Sequence, residues 1–303
     1  MQAHVIERIK NIEDLPTLPS VALEILSLAH RSDISIQIIA ECIHKDPPLA
    51  AKVLKMANSA FYRRGDKKID TLHQSIIFLG LAEIINITTS LSVFSALKSR
   101  RALEVSVREN FWDHSVATGL IARYIDRKLG MRSMGREFVA GLLHDIGKII
   151  FDQYFHDEFM AAYNMSLDKD MPMYQTEMEV CGTNHMEVGY YMAKKWNLPD
   201  YLGDVILWHH RPSQATFRDM AALISMANLL AKAKEMSCGG DRMSFILADE
   251  EAWQVLRERG YAVESLDIER MTFEMESIGD QVKHYIDTVM EPAETPGTED
   301  THG

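Results

Sequence analysis

Segment after segment of the chain repeats its apolar residues every three to four positions, the pattern of helices that each bury one stripe. In PSVALEILSL, Pro19 takes a first helical position. Asp46-Pro47 offers a cap followed by a proline and predicts the start of the helix PPLAAKVLKMANSAFY, with Leu49, Val53, Met56 and Ala60 on one face. The polar turn RRGDKKID follows, at residues 63–70, and TLHQSIIFLG predicts a helix that ends at Gly80 as its C-cap. LAEIINITTSLSVFSALK is rich in β-branched residues, yet its length and the spacing of Leu81, Ile84, Ile85, Leu91 and Phe94 decide for a helix.

The charged patch KSRRALEVSVREN divides this array from a second one. The second holds FWDHSVATGLIARYIDRKLG, GREFVAGLLHDIGKIIF, NHMEVGYYMAKKWNLP, DYLGDVILWHHRP and FRDMAALISMANLLAKAKEM, punctuated at Gly130, Gly135, Gly182, Pro199 and Pro212. A short helix is expected near residues 252–257, inside a glycine-rich and charged stretch, and a last one over 265–290. No alternating strand pattern and no internal repeat stands out, so the expected fold class is all-α. The tail EPAETPGTEDTHG, residues 291–303, is acidic and Pro/Gly-rich and is expected to be disordered.

Composition narrows the function. At 303 residues and 47% hydrophobic content the chain can bury one large core or two modest ones. A net charge of −12 argues against a general nucleic-acid binder, which needs a basic surface. Cys42, Cys181 and Cys238 are too few and too scattered for a disulfide framework or a CxxC zinc site, and they fit a reducing cytoplasm. The first residues hold no long apolar run, so no signal peptide is expected. No segment approaches about 20 consecutive apolar residues, so no membrane span is expected either.

The chemistry-bearing residues are histidines. GLLHDIGKII, residues 141–150, reads as part of a buried helix, yet His144 and Asp145 sit in its middle. A buried carboxylate needs a partner. A divalent cation would serve; so would Lys148 or an arginine. His114 shares a stripe with Ala117, Ile121 and Tyr124 and faces inward, as a ligand or as a hydrogen-bonded core residue. His185 starts a helix and His209-His210 ends one, just before Pro212. His4, His30, His44, His73, His156, His284 and His302 have no such setting and read as surface or packing residues. Neighbours on a helix diverge by roughly 100°, so a His-Asp or His-His pair grips one ion from two sides or touches two ions. Imidazole with carboxylate suits Fe, Mn, Zn or Ni. Lys148 follows His144 by one helical turn and can reach the same cleft.

With these residues in place the chain resembles the HDOD domain family, part of the HD superfamily and related to the HD-GYP phosphodiesterases. Two stretches carry the resemblance. One is LPTLPSVALEIL with DPPLAAKVLKMANSAFY and SIIFLGLAEI; the other is FWDHS, GLLHDIGK, HMEVGYYMAKKWNLP and ILWHHRP. Together they span roughly residues 12–236. The resemblance implies a helical HD-type core with an added N-terminal helical bundle. Its expected divisions are a bundle over 1–100, a metal-binding HD-like half over 101–236, a C-terminal helical extension over 237–290 and the tail. It implies His114, His144, Asp145, His185, His209 and His210 as ligands of one or two divalent transition-metal ions. Two departures stand out. Asn228 occupies the place of a ligating aspartate, and Asn110 the place of a glutamate one turn before His114, with Glu109 beside it on a different face. The GYP loop is absent: HHRPSQATF runs straight on to the next helix.

The resemblance therefore implies a bacterial, cytoplasmic regulatory module with a retained, non-catalytic metal site. The alternative is a metal-dependent phosphohydrolase acting on a nucleotide or cyclic dinucleotide, with Asp145 and Lys148 in catalytic roles. A signalling protein and a small phosphorylated ligand are the expected partners; nucleic acid and membrane are not. The helices Pro47–Phe61 and Leu81–Lys98 are expected to present a partner surface, with Asn58, Ser59 and Tyr62 lining a cleft towards the HD half or simply packing.

Overall fold

Five short polar residues set helix starts: Ser35, Asp46, Thr71, Asn184 and Asp267 each accept a hydrogen bond from the backbone N–H three residues on. Such a cap contributes about 1 kcal/mol over alanine. Asp46 caps with Pro47 directly behind it, and Gly80, at φ 86°, ends the helix before it, both as the sequence predicts. The computed structural model describes residues 7–9, 12, 15–28, 35–59, 61–62, 68–97, 105–237 and 246–290. Among them are sixteen α-helices and no strand, so the fold is all-α.

In chain order the helices are α1 (Ser20–Leu28), α2 (Ile36–His44), α3 (Pro47–Ala57), α4 (Leu72–Leu79) and α5 (Leu81–Ala96). Then come α6 (Val105–Leu129), α7 (Arg136–Leu143), α8 (Ile146–Tyr154), α9 (His156–Lys169), α10 (Met173–Cys181), α11 (His185–Lys195) and α12 (Asp200–Trp208). A 3-10 turn, Pro212–Gln214, leads to α13 (Arg218–Ala233). α14 (Glu251–Glu258), α15 (Ile268–Glu274) and α16 (Ile278–Met290) complete the described chain. No single described helix is long and apolar enough to cross a membrane.

α1, α3 and α4 pack on α5, whose middle is buried. α6 is the long central helix, against α7, α13 and α16. The buried apolar side chains form one connected cluster that runs from Ile9 to Val289. α16 closes that cluster by lying across α6, α5 and α3. Its Tyr285 is fully buried, with ring centroids of Phe61 and Phe138 at 5.6 and 5.5 Å, and its hydroxyl donates to Ser90 Oγ at 2.8 Å.

Several expectations need correction. GREFVAGLLHDIGKIIF is not one helix: it breaks into α7 and α8 with His144 and Asp145 between them. The helix expected over 265–290 is interrupted at residues 275–277. α6 begins at Val105, inside the charged patch. α2, α9 and α10 stand where no helix was expected. Asn58 and Tyr62 are held by hydrogen bonds, and Asn58 and Ser59 line a cavity with His284 and Thr288 of α16 rather than with the HD half. The Asn58 amide bonds Leu54 O, Ile69 O and Ile69 N, and the Tyr62 hydroxyl donates to Glu83. His284 takes the backbone N–H of Phe61, a packing role, and His44 and His73 are exposed. Ala60, Cys238, His4, His30, His302, residues 63–67 and the tail 291–303 lie outside the described residues.

Tyr285 offers a test of how firmly α16 fastens the fold. Tyr285→Phe removes one buried hydrogen bond and should cost about 1 kcal/mol. Tyr285→Ala also opens a cavity and should cost about 3–5 kcal/mol. Urea unfolding of the two variants should separate them by that margin; equal midpoints would mean that α16 adds nothing to the core.

Candidate metal centre

The break between α7 and α8 is the local feature that makes a site. On a straight helix His144 and Asp145 would point roughly 100° apart. Here Asp145 adopts φ −103° and ψ 12°, and His144 Nε2 comes to 3.4 Å from Asp145 Oδ2. Asp145 therefore stands at the start of α8 without capping it, because its carboxylate is turned into the core.

Four helices deliver histidines to that carboxylate. His114 comes from the middle of α6, His144 from the end of α7, His185 from the first position of α11 and His209 from the end of α12. All four are fully buried, as is Asp145. Oδ2 faces His114 Nε2 at 3.5 Å and His144 Nε2 at 3.4 Å; Oδ1 faces His185 Nε2 at 3.2 Å and His209 Nε2 at 3.4 Å. The half-buried His210 joins the second side. Two groups of donor atoms thus share Asp145: His114 and His144 on one side, His185, His209 and His210 on the other, each group within 4.8 Å of one another.

The far nitrogen of each ring is held in place. Nδ1 of His144 lies 2.6 Å from Gly141 O and Nδ1 of His209 lies 3.0 Å from Ile206 O. Both histidines end a helix, and both rings use a carbonyl three residues back that the last turn leaves open. Nδ1 of His114 lies 2.7 Å from Met236 O. A carbonyl only accepts, so the proton sits on Nδ1 and Nε2 presents its lone pair to the centre. His185 differs: its Nδ1 and its backbone N both donate to Glu177 Oε2, at 2.6 and 2.8 Å.

Burial first of all pushes His144, His209 and His210 below the ordinary imidazole value, which keeps them neutral, the form that ligates. Burial acts the same way on His185, but Glu177 and Asp145 outweigh it and raise that ring. For Asp145 burial pushes the carboxyl up, and the surrounding His144, Lys148 and His185 more than offset it, so the carboxyl is held well below its usual range. Lys148 Nζ donates to Asp145 Oδ2 at 2.8 Å. One of the three partners considered for Asp145 is therefore present.

The lysine leaves the imidazoles unserved. Nε2 of His114, His144, His185 and His209 has no hydrogen-bond partner among the described residues. The 3.2–3.5 Å spacings to Asp145 exceed the 2.7–2.9 Å of a charge-assisted hydrogen bond. A buried donor or acceptor left unmade costs about 1–3 kcal/mol. A cation among these nitrogens would satisfy all four, so the residues present fit a metal ion. Asn228 is buried on α13, which packs against α6 and α7, and its Oδ1 has no hydrogen-bond partner among the described residues. Asn110, one turn before His114, is exposed.

Two contributors escape a reading of the sequence for ligands. Glu177, which orients His185, lies midway between Met173 and Cys181 on the buried stripe of α10. A carboxylate at an apolar position spaced by four was the available signal. Gly147 is the other. A Cβ there would come within 1.9 Å of His185 O, so only glycine lets α8 approach the start of α11.

An HDOD domain model matches residues 15–212. The chain belongs to the HDOD family. Solved structures agree in fold. An HDOD domain protein of unknown function from Geobacter sulfurreducens aligns at TM-score 0.83 and 24% identity, over 96% of this chain and 98% of that one. A candidate phosphohydrolase from Shewanella amazonensis SB2B gives 0.70 and 19%, over 95% and 98%. A candidate signal transduction protein from Marinobacter aquaeolei VT8 gives 0.71 and 20%, over 95% and 64%. An uncharacterized protein of Treponema pallidum (strain Nichols) is 24% identical over 221 residues; the match takes in 72% of this HDOD chain and 42% of the relative, so the chain spans less than half of that relative's length.

Glu177→Gln keeps the shape of the side chain and removes the charge that orients His185. Metal affinity, read by competition with a chromophoric chelator, should fall about 10- to 100-fold, the usual cost of losing such a partner. An affinity within twofold of the original would remove Glu177 from the centre. Gly147→Ala should cost at least about 1–3 kcal/mol in stability, because a backbone carbonyl has to move.

Proposed function

We propose that this HDOD protein is a bacterial signalling module. Its buried His–Asp centre holds one or two divalent transition-metal ions, does not hydrolyse phosphate esters, and reports its state to a signalling protein. The burial of the centre carries this reading. His114, His144, Asp145 and His209 have no exposed surface, and His185 has essentially none. A catalytic ion keeps an open position for water or substrate. Of the proposed histidine ligands only His210 reaches a half-exposed setting, and the ring of Tyr174 lies over it at 4.8 Å.

The residues themselves support retention over turnover. His114, His144, His185 and His209 tie α6, α7, α11 and α12 to one point. Lys148, the group that would hold a phosphate oxygen, is itself buried and bonded to Asp145. Asn228 contributes a neutral amide where the family's enzymes place a carboxylate. When bound, a divalent cation would supply the positive charge that these neutral rings and the carboxylate are arranged to share. One observation favours hydrolysis as the second reading: a cavity of about 410 Å³, lined by Tyr174, Asn184, Trp208 and Arg211, adjoins the His209-His210 end of α12.

Protein purified without chelator or a metal-affinity column should carry one or two equivalents of Fe, Mn, Zn or Ni by elemental analysis. Verified removal of that metal should lower the melting temperature, since an ion at a hundred times its Kd stabilises the folded state by about 2.7 kcal/mol. Asp145→Ala should lower it too and abolish the response to chelator. A melting curve indifferent to verified metal loss would overturn the structural part of the reading.

Turnover separates the two classes. Cyclic-di-GMP should yield no linear dinucleotide even with added Mn or Fe. Many turnovers by the natural protein, lost in His144→Ala, would make it a hydrolase. Activity gained only in Asn228→Asp would mark a centre that lost one ligand.

A further inference from the structure

A second cavity, of about 740 Å³, opens beside the segment that carries His209 and His210, and none of the centre's residues lines it. Tyr201, near the start of α12, forms one wall. Gln214 through Met220, from the 3-10 turn into the first turn of α13, form another. The cavity thus touches the chain on both sides of the histidine pair.

Its lining has two chemical characters. Arg136, Arg218 and Arg259 bring guanidinium groups. Arg259 is neutralised by Asp219 at 2.5 Å, which also accepts from the Tyr261 hydroxyl at 3.0 Å. Arg136 and Arg218 have no carboxylate partner among the described residues; Arg136 Nε donates only to Ser133 O, at 3.0 Å. Two uncompensated arginines face one cavity in a chain of net charge −12. Guanidinium forks suit phosphate oxygens. The second character is aromatic. Tyr201, Phe217 and Tyr261 line the same space, Tyr201 and Phe217 edge to face with centroids 6.5 Å apart. Phe217 is 43% exposed, an apolar ring left uncovered at the mouth.

The remaining wall is the loop from Met131 to Arg136. Arg132, Met134 and Gly135 there have φ of 62°, 57° and 89°. Such conformations at non-glycine residues cost on the order of 1–3 kcal/mol each and cluster where ligands are clamped. The loop is held by Asp126, whose carboxylate accepts from Ser133 N at 3.1 Å. The volume lies within the range of small-ligand sites, about 300–1,000 Å³.

We propose that this cavity binds a small ligand joining a phosphate to a planar ring, in its simplest form a nucleoside monophosphate. Arg136 and Arg218 take the phosphate and the rings of Phe217 and Tyr261 take the base. This site is separate from the metal centre and does not depend on whether that centre holds an ion.

The test is isothermal titration of the full chain with AMP, GMP and inorganic phosphate. At least one nucleotide should bind saturably at one equivalent, and more tightly than phosphate. Arg136→Ala and Arg218→Ala should each weaken it about tenfold or more, the effect of one lost charge-assisted hydrogen bond. Both side chains are exposed, so their melting temperatures should match the natural protein's, and Arg218→Lys should recover part of the affinity. Verified metal removal, at a temperature where the protein stays folded, should leave nucleotide binding intact. Four results would overturn the proposal: no saturable binding of either nucleotide; phosphate binding as tightly as the nucleotides; arginine variants that bind like the natural protein; or loss on metal removal, with the protein still folded, as complete as in Arg218→Ala, which would put the nucleotide at the metal centre.

Discussion

One carboxylate, Asp145, sits at zero exposure in a helical core, and much of the surrounding structure answers to it. An isolated buried charge is not tolerated, so neighbours must bring compensation to it. Lys148 does so from the next turn of α8. Four imidazoles bring lone pairs from four helices, each ring fixed through its Nδ1. The helices have to approach closely for this, and glycines permit it. Gly147 admits the start of α11. Gly141 lies so near Gly119 that a Cβ would meet its Cα at 2.7 Å.

The break at His144-Asp145 follows from the same constraint. A continuous helix satisfies its backbone better than a broken one, and the apolar run around the pair favours continuity. Opening the helix by two residues costs backbone hydrogen bonds, part of which return. The His144 ring closes on Gly141 O, and Lys148 N donates to Asp145 O at 2.9 Å. The gain is convergence: two adjacent side chains meet at one point, which an unbroken helix forbids.

This explains what could be read from the chain alone. Helix type was legible because the 3.6-residue period is local, as in Leu49, Val53 and Met56, all buried on α3. Starts were legible where a cap is a short-range device, as at Asp46. His114, His144 and Asp145 stood out as polar residues in apolar surroundings, but the full ligand set came only from the resemblance to the family, and His114, His144, Asp145, His185, His209 and His210 do come together. The break in the HD helix was not, because it is enforced by contacts from α6, α11 and α12 that are distant in sequence. Gly147 and Glu177 were missed for a similar reason. Their roles lie in a carbonyl and a ring nitrogen contributed by His185, on another helix. α2, α9 and α10 are short or carry polar residues on several faces, which blurs their period.

The charge count of the proposed centre bears on how many ions it suits. Among the groups bonded directly to the centre, Asp145 and Glu177 bring two negative charges and Lys148 one positive, about −1 with the rings neutral, and Lys232 adds positive charge near His210. One divalent ion brings the buried total to about +1; a second brings it to about +3, which a core of zero exposure resists. A carboxylate at position 228 would lower each total by one and ease the second ion. Asn228 carries an oxygen without the charge, and its Oδ1 has no hydrogen-bond partner among the described residues. The amide thus favours a single retained ion over a pair that must be loaded for in-line displacement at phosphorus. The substitution leaves a singly occupied centre at about +1, where a carboxylate would leave it near neutral, and it weighs still more against a second ion. Asn228 therefore bears on the second ion above all, and an in-line displacement clamped by two ions is the chemistry that would need it most.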